Sequence, residues 1–262
     1  MTAPAPRAQV RESADGLRMA RAVRQLSARD DWAGRLVRRA IVDALGRREG
    51  RVERRRMLRI EALRQELAAS DAVVGRIDFG GDDGVPVLGT IGELCRRSST
   101  APAWSRLLFH LAREAAPVNA LELGTALGFS AAYQGAALEG NGHGRLVTIE
   151  GAPPLADLAR DHLARIGIGT VEVVTGRFRD ALPPVLERLQ PLEFVYIDGH
   201  DDGRATLDYF GTLLPAITRP ALLVFDDIGI SPGMRAAWEE IAQHPRVTLA
   251  VDLHKLGVCG VR

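Results

Sequence analysis

In this 262-residue chain, acidic side chains recur at one kind of place, the end of a short apolar run. Glu122 stands in Ala-Leu-Glu-Leu-Gly-Thr, Glu150 follows Leu-Val-Thr-Ile, Asp198 follows Phe-Val-Tyr-Ile, and Asp226-Asp227 follow Leu-Leu-Val-Phe. A fifth run, Val171 to Thr175, leads into Gly176-Arg177-Phe178-Arg179-Asp180. Around Glu122 the pattern reads as a buried strand, a turn bounded by Gly124 and Gly128, and a helix start. Such a turn leaves backbone N–H groups unpaired, and residues without Cβ let a ligand approach them. A carboxylate beside those donors repels phosphate and suits a cationic or hydroxyl-rich ligand. The spacing is G-x-x-x-G, so the dinucleotide fingerprint and the Gly-Lys-Ser/Thr phosphate loop are both absent. A tight turn that binds nothing is the competing reading of this stretch.

Each of the other acids has a chemistry and an alternative. Glu150 is placed to accept hydrogen bonds from the vicinal hydroxyls of a ribose, or else to cap a helix before Pro153-Pro154. Phe178 and Arg179 can flank a purine ring, or simply pack on the surface. Asp198, Asp226 and Asp227, from adjacent strand ends, can converge as hard oxygen ligands for one divalent cation, Mg²⁺ with retained waters. Alternatively, Asp198 orients a loop and one of the aspartate pair caps the next helix. His200 and Asp201 adjoin this cluster, and His200 is suited to general-base work by an unperturbed pKa of about 6.5. It can equally orient an aspartate or bind water.

Something must bring these strand ends together. Apolar runs near 119 to 123, 146 to 150, 171 to 175, 193 to 198 and 221 to 226 alternate with helical patterns. Those runs carry no polar alternation, as in parallel strands covered by helices on both faces. In such a sheet ligands bind off the carboxyl ends of the strands, where the strand order switches. The chain closes with Val247 to Leu253, a His254-Lys255-Leu256-Gly257 turn and Val258 to Val261, a hairpin whose last strand runs antiparallel. Ahead of this domain, assigned to residues 91–262, lie a disordered Pro- and Ala-rich tail (1–14), three amphipathic helices serving as a lid or dimerisation segment (15–79), and a glycine-rich linker loop (80–90).

Composition narrows the function. Residues 1–70 hold 17 Arg against 9 acids and the remainder 17 basic against 24 acidic residues, so a net charge of +1 conceals a basic N-terminal third. Its acids are interspersed and Trp32 is its single aromatic residue, which points to solvated helix faces and not to nucleic acid. No apolar run approaches the roughly 18 residues of a membrane span, and the N-terminus shows no hydrophobic signal region, so a cytoplasmic location is expected. Cys95 and Cys259 have no C-x-x-C partner and read as buried thiols.

Taken together, Glu122-Leu123-Gly124-Thr125, Glu150, Asp198-Gly199-His200 and Asp226-Asp227-Ile228 resemble class I S-adenosylmethionine-dependent methyltransferases. The resemblance is to the O-methyltransferase branch of catechol, macrocin and cephalosporin-tailoring types, and it covers about residues 90–262. It implies a doubly wound, mostly parallel seven-stranded α/β sheet of Rossmann-like type with the last strand antiparallel, and the N-terminal helices as an appendage. It implies S-adenosyl-L-methionine as cofactor, with the methionine part over Gly124 and Ser130, the ribose on Glu150 and the adenine near Phe178 and Arg179. Glu122, Thr125, Gly128 and Asp198 complete the implied cofactor site. Metal-using members hold a cation on acids matching Asp198, Asp226 and Asp227; in this chain Asp198 and, in place of the family's lysine, His200 are the expected catalytic groups. The catechol-type lysine after the first aspartate is missing, since the chain reads His200-Asp201-Asp202 there, and Asp226-Asp227 looks more like the antibiotic-tailoring enzymes. The expected function is metal-assisted methylation of a small hydroxylated acceptor by a homodimer or higher homo-oligomer. A non-catalytic cofactor-binding homologue and a nicotinamide-dependent oxidoreductase are the alternatives.

Overall fold

The structure, a computed structural model, describes residues 6–78 and 85–262. Three helices open it: α1 (Pro6–Leu26), α2 (Trp32–Gly46) and α3 (Arg51–Ala68). α1 begins inside the stretch expected as a tail, and its first residue is a proline, whose missing N–H costs nothing at that position. α2 is capped by the Asp31 carboxylate, which accepts from Gly34 N at 3.0 Å. Two strands follow, β1 (Val73–Asp78) and β2 (Val85–Thr90), paired antiparallel with Val73 opposite Thr90. Part of the expected linker is therefore a strand, because Val85 to Thr90 can complete a ladder with Val73 to Asp78 despite the glycines around it. Residues 79–84, the remainder of that loop, lie outside the described residues.

The chain then runs through α4 (Ile91–Ser98), opened by a Thr90–Glu93 capping box, and α5 (Pro102–Ala115) into the main domain. Its elements are β3 (Asn119–Leu123), α6 (Phe129–Asn141), β4 (Arg145–Glu150), α7 (Pro153–Ile166), β5 (Val171–Thr175), α8 (Phe178–Arg188), β6 (Phe194–Ile197), α9 (Gly203–Leu213), β7 (Ala221–Phe225), α10 (Pro232–Ala242), β8 (Val247–Asp252) and β9 (Gly257–Val261). The sheet order is β5-β4-β3-β6-β7-β9-β8. β3 pairs in parallel with both β4 and β6, and β9 runs antiparallel to both its neighbours. This is the doubly wound, mostly parallel seven-stranded sheet that the resemblance implied.

Every residue of β3, β6 and β7 is buried, which accounts for the continuous apolar runs. Successive residues feed opposite faces: Ala120, Phe194, Tyr196, Leu222 and Val224 join one core. Leu121, Leu123, Val195, Ile197 and Phe225 join the other, beneath α8, α9 and α10. The N-terminal helices belong to the first core. Val37, Ile41 and Ile60, all fully buried, pack with Leu107 and Phe109 of α5 in that cluster. The stripe expected to make a lid or dimer contact is thus largely spent within the chain, α2 lying on α5 and α3 on α6. Among the described residues no helix is long and apolar enough to cross a membrane.

Candidate functional site

A cavity of about 1610 Å³ opens above the carboxyl ends of β3, β4, β6 and β7. It lies where the winding reverses between β3 and β6, the crevice position of open α/β sheets. Its floor is the turn after β3. Gly124 sits there at φ 97°, and a Cβ on it would stand 2.3 Å from the backbone oxygen of Asp198. The close approach of the β3 and β6 ends therefore requires glycine. Ala126, at φ 45°, donates its N–H to Glu150 Oε2 at 2.8 Å, and Ala152 N donates to Oε1 at 2.9 Å. One carboxylate thus bridges two loops at the cavity wall. Burial pushes Glu150 above the ordinary carboxylate value, while these amide bonds pull the other way.

Of the turn residues named from sequence, Gly124, Thr125 and Ser130 line the cavity. Gly128 does not: it precedes α6 at φ 82°, and a Cβ there would lie 3.3 Å from the Ala159 side chain of α7. Glu122 does not reach the cavity either. It is fully buried and faces Ser130, Thr148 and Gln134, because strand alternation turns it away from the turn its neighbour begins. Neither of its oxygens, nor Gln134 Oε1, has a hydrogen-bond partner among the described residues.

Burial pushes the Glu122 carboxyl up to about 7, from 4.5. Because the folded value is raised, the native chain holds a proton that the unfolded chain releases between those two values. Stability therefore falls as pH rises through that window, by up to about 3 kcal/mol. Glu122→Gln should remove this dependence, so its urea midpoint at pH 8 should exceed that of the wild type while the two agree near pH 4.5. Midpoints that differ equally at both pH values would contradict a buried titrating carboxyl.

Phe178 and Arg179, at the start of α8, both line the cavity. Arg179 is largely exposed, with Asp180 at 3.8 Å. The Phe178 ring is wedged over Gly199, where a Cβ would lie 2.3 Å from it, and meets His200 and Tyr209 edge to face at 5.5 and 5.4 Å. His200 takes the left-handed φ of 61° and its Nδ1 lies 2.6 Å from the Tyr209 hydroxyl. Tyr209 carries no signal in the sequence beyond its helical spacing; the aromatic trio forms only when α8, α9 and the β6 loop meet.

The acids at the ends of β6 and β7 meet as expected, but with company. The Tyr196 hydroxyl donates to Asp226 Oδ2 at 2.8 Å or to Asp198 Oδ2 at 3.1 Å, and Thr100 Oγ1 is 3.3 Å from it. Asp226 Oδ1 accepts from the backbone N–H of Asp227 at 2.8 Å. It also receives Lys255 Nζ at 2.8 Å, and the same ammonium reaches Asp227 Oδ1 at 2.9 Å. Burial and the Asp226 carboxylate beside it push Asp198 well above the ordinary range. The divalent cation expected on Asp198, Asp226 and Asp227 does not fit this arrangement. Lys255 places an ammonium on one oxygen of each member of the aspartate pair, where a cation would sit, and no group of three acidic, His or Cys side chains among the described residues is disposed to hold a metal. Lys255 comes from the turn between β8 and β9, far along the chain, and the sequence offers one hint of it: no other lysine exists.

Comparison with known proteins points to one class of fold. Residues 121–228 match the family model described as a methyltransferase domain. A catechol O-methyltransferase of Niastella koreensis is 34% identical over 137 residues, 52% of this chain and 60% of that protein, so the chain spans less than two thirds of this relative's length. The solved O-methyltransferase from Bacillus cereus in complex with S-adenosylhomocysteine superposes with a TM-score of 0.54 at 26% identity, over 63% of this chain and 84% of the other. TomG of Streptomyces achromogenes, an O-methyltransferase of tomaymycin synthesis solved with S-adenosylmethionine, gives a TM-score of 0.54 at 27% identity, over 63% of this chain and 82% of its own.

Proposed function

We propose that this chain, whose residues 121–228 match a methyltransferase domain, is an S-adenosylmethionine-dependent O-methyltransferase of class I type that methylates a hydroxyl of a small molecule. The observation that supports this most is Glu150, fixed by Ala126 N and Ala152 N at the wall of a cavity lying over the reversal point of the sheet. Backbone amides of both loops hold the carboxylate in place, and an ionised carboxylate has about four acceptor sites with which to meet them and a ribose hydroxyl. The donor fits in other respects. Gly124 leaves its backbone bare, Ser130 offers a hydroxyl, and a cavity of about 1610 Å³ exceeds the usual single-ligand range of about 300–1,000 Å³, leaving room for an acceptor.

When bound, S-adenosylmethionine would supply an electrophilic methyl on a sulfonium, with the neutral thioether as leaving group. The chain's own contribution is orientation and proton transfer. His200, held through Nδ1 by Tyr209, presents Nε2 as the base when its Nδ1–H donates to that hydroxyl. Phe178 packs against the same imidazole and limits its movement. The Tyr196, Asp198 and Asp226 network carries the wall on which the acceptor rests. Because the aspartate pair is engaged by Lys255, no step here runs through a divalent metal. The catechol O-methyltransferase relative makes phenolic hydroxyls the first acceptors to try.

Calorimetric titration of S-adenosylhomocysteine into the full chain tests the reading. A Kd within about 1 µM to 1 mM is expected, with labelled methyl passing from S-adenosylmethionine to one or more of a panel of phenols and alcohols. No heat of binding at millimolar ligand would overturn it.

A further inference from the structure

Lys255 is the single lysine among 34 basic side chains, in a chain that otherwise uses arginine throughout. Its backbone is held on both sides. Lys255 N donates to Leu253 O at 2.9 Å, and Ile228 N, just past the aspartate pair, donates to Lys255 O at 3.3 Å. The turn is closely packed: a Cβ on Gly257 would lie 2.4 Å from the Trp238 ring and one on Gly229 would lie 2.8 Å from His254 O. The ammonium borders the cavity with 21% of the side chain exposed. An ammonium has three donors. Two point at Asp226 Oδ1 and Asp227 Oδ1, and no described residue accepts the third. Arginine could not serve in the same way, because its planar fork would spread over the pair instead of presenting one compact charge.

We propose that Lys255 is a built-in replacement for a divalent cation, binding the acceptor oxygen through its third N–H. The inference rests on the methyl-transfer reading above. In the reaction the proton of the acceptor hydroxyl passes to His200 Nε2 while the Lys255 ammonium faces the charge developing on oxygen. The oxygen–methyl bond forms as the methyl–sulfur bond breaks, and sulfur keeps that electron pair. The Lys255 ammonium stays paired with the two carboxylate oxygens, 2.8 and 2.9 Å away, throughout. It therefore supplies charge, and the proton is taken elsewhere.

The arrangement makes a prediction opposite to that of a metal site. Mn²⁺, a paramagnetic stand-in for Mg²⁺, is added to full-length wild type, Lys255→Met and the double variant Lys255→Met/Asp227→Asn, and bound ion is read by electron paramagnetic resonance. The wild type should hold no Mn²⁺ that Asp227→Asn removes. Lys255→Met should bind it at least about tenfold more tightly than the wild type, and the double variant should lose that gain. With chelator present, the wild type should still transfer methyl, and Lys255→Met should be slower by about 10²–10³-fold in kcat with S-adenosylhomocysteine affinity unchanged. Should Lys255→Met fail to fold, Lys255→Gln takes its place, and the wild-type measurements stand alone. Mn²⁺ bound alike by wild type and variant, Mn²⁺ bound by neither, or transfer by the wild type that chelator abolishes and Mg²⁺ restores would each overturn the proposal. S-adenosylhomocysteine titrated into the same samples separates the two readings: binding with any of those outcomes defeats only the role of Lys255, and no binding defeats the methyltransferase reading itself.

Discussion

Glu150→Ala should bind S-adenosylhomocysteine at least about 100-fold more weakly than the wild type, a loss of about 2.7 kcal/mol. Two effects combine. The variant loses the acceptors for the ribose hydroxyls, and it also leaves the N–H groups of Ala126 and Ala152 without the carboxylate that organises them. An unsatisfied buried donor costs about 1–3 kcal/mol, so the turn itself should loosen. Glu150→Gln separates the two, since its amide oxygen can keep one of the backbone bonds and should recover part of the affinity. Acidification offers an independent check on the wild type. Because burial raises the Glu150 carboxyl, affinity should fall, as pH is lowered, sooner than an ordinary carboxylate would make it. Undiminished affinity in Glu150→Ala, with the fold verified by circular dichroism, would remove Glu150 from the cofactor site.

His200→Asn should lower kcat by about 10²–10⁴-fold and leave S-adenosylhomocysteine affinity within about threefold of the wild type. Asparagine is chosen because His200 sits at φ 61°, and asparagine tolerates the left-handed region better than alanine does. A rate loss then reports the missing base and not a displaced loop. Tyr209→Phe, which frees Nδ1 of the imidazole without removing it, should fall between the two. A kcat for His200→Asn close to wild type would assign proton removal to another group.

The main sheet was legible because burial leaves a periodic mark. The predicted runs at 119–123 and 171–175 coincide with β3 and β5, and the others fall within a residue or so of their strands. The terminal hairpin was readable from a turn between two apolar runs. Strand alternation within the site was harder. Glu122 and Glu150 both stand near strand ends and look equivalent in sequence, yet one carboxylate enters the cavity wall and the other lies beneath it. The face a strand residue takes depends on which sheet neighbour and which helix cover it, and no local pattern encodes that. β2 was missed for a related reason: glycines and a proline depress strand propensity, and a two-stranded ladder with β1 restores it through pairing.

The sequence by itself determined the order of strands and helices, the acids that end them and the glycine that the tightest turn demands, because each follows from local burial, capping or backbone sterics. Only the tertiary structure decided what those acids do. The β8–β9 turn carries Lys255 onto Asp226 and Asp227, α9 carries Tyr209 onto His200, and β6 sets the Tyr196 hydroxyl between two aspartates. A cation site and a lysine-paired acid cluster have the same aspartates in the same order along the chain. The distance from an ammonium to two carboxylate oxygens distinguishes them, and that distance exists only once the hairpin has folded back across the sheet.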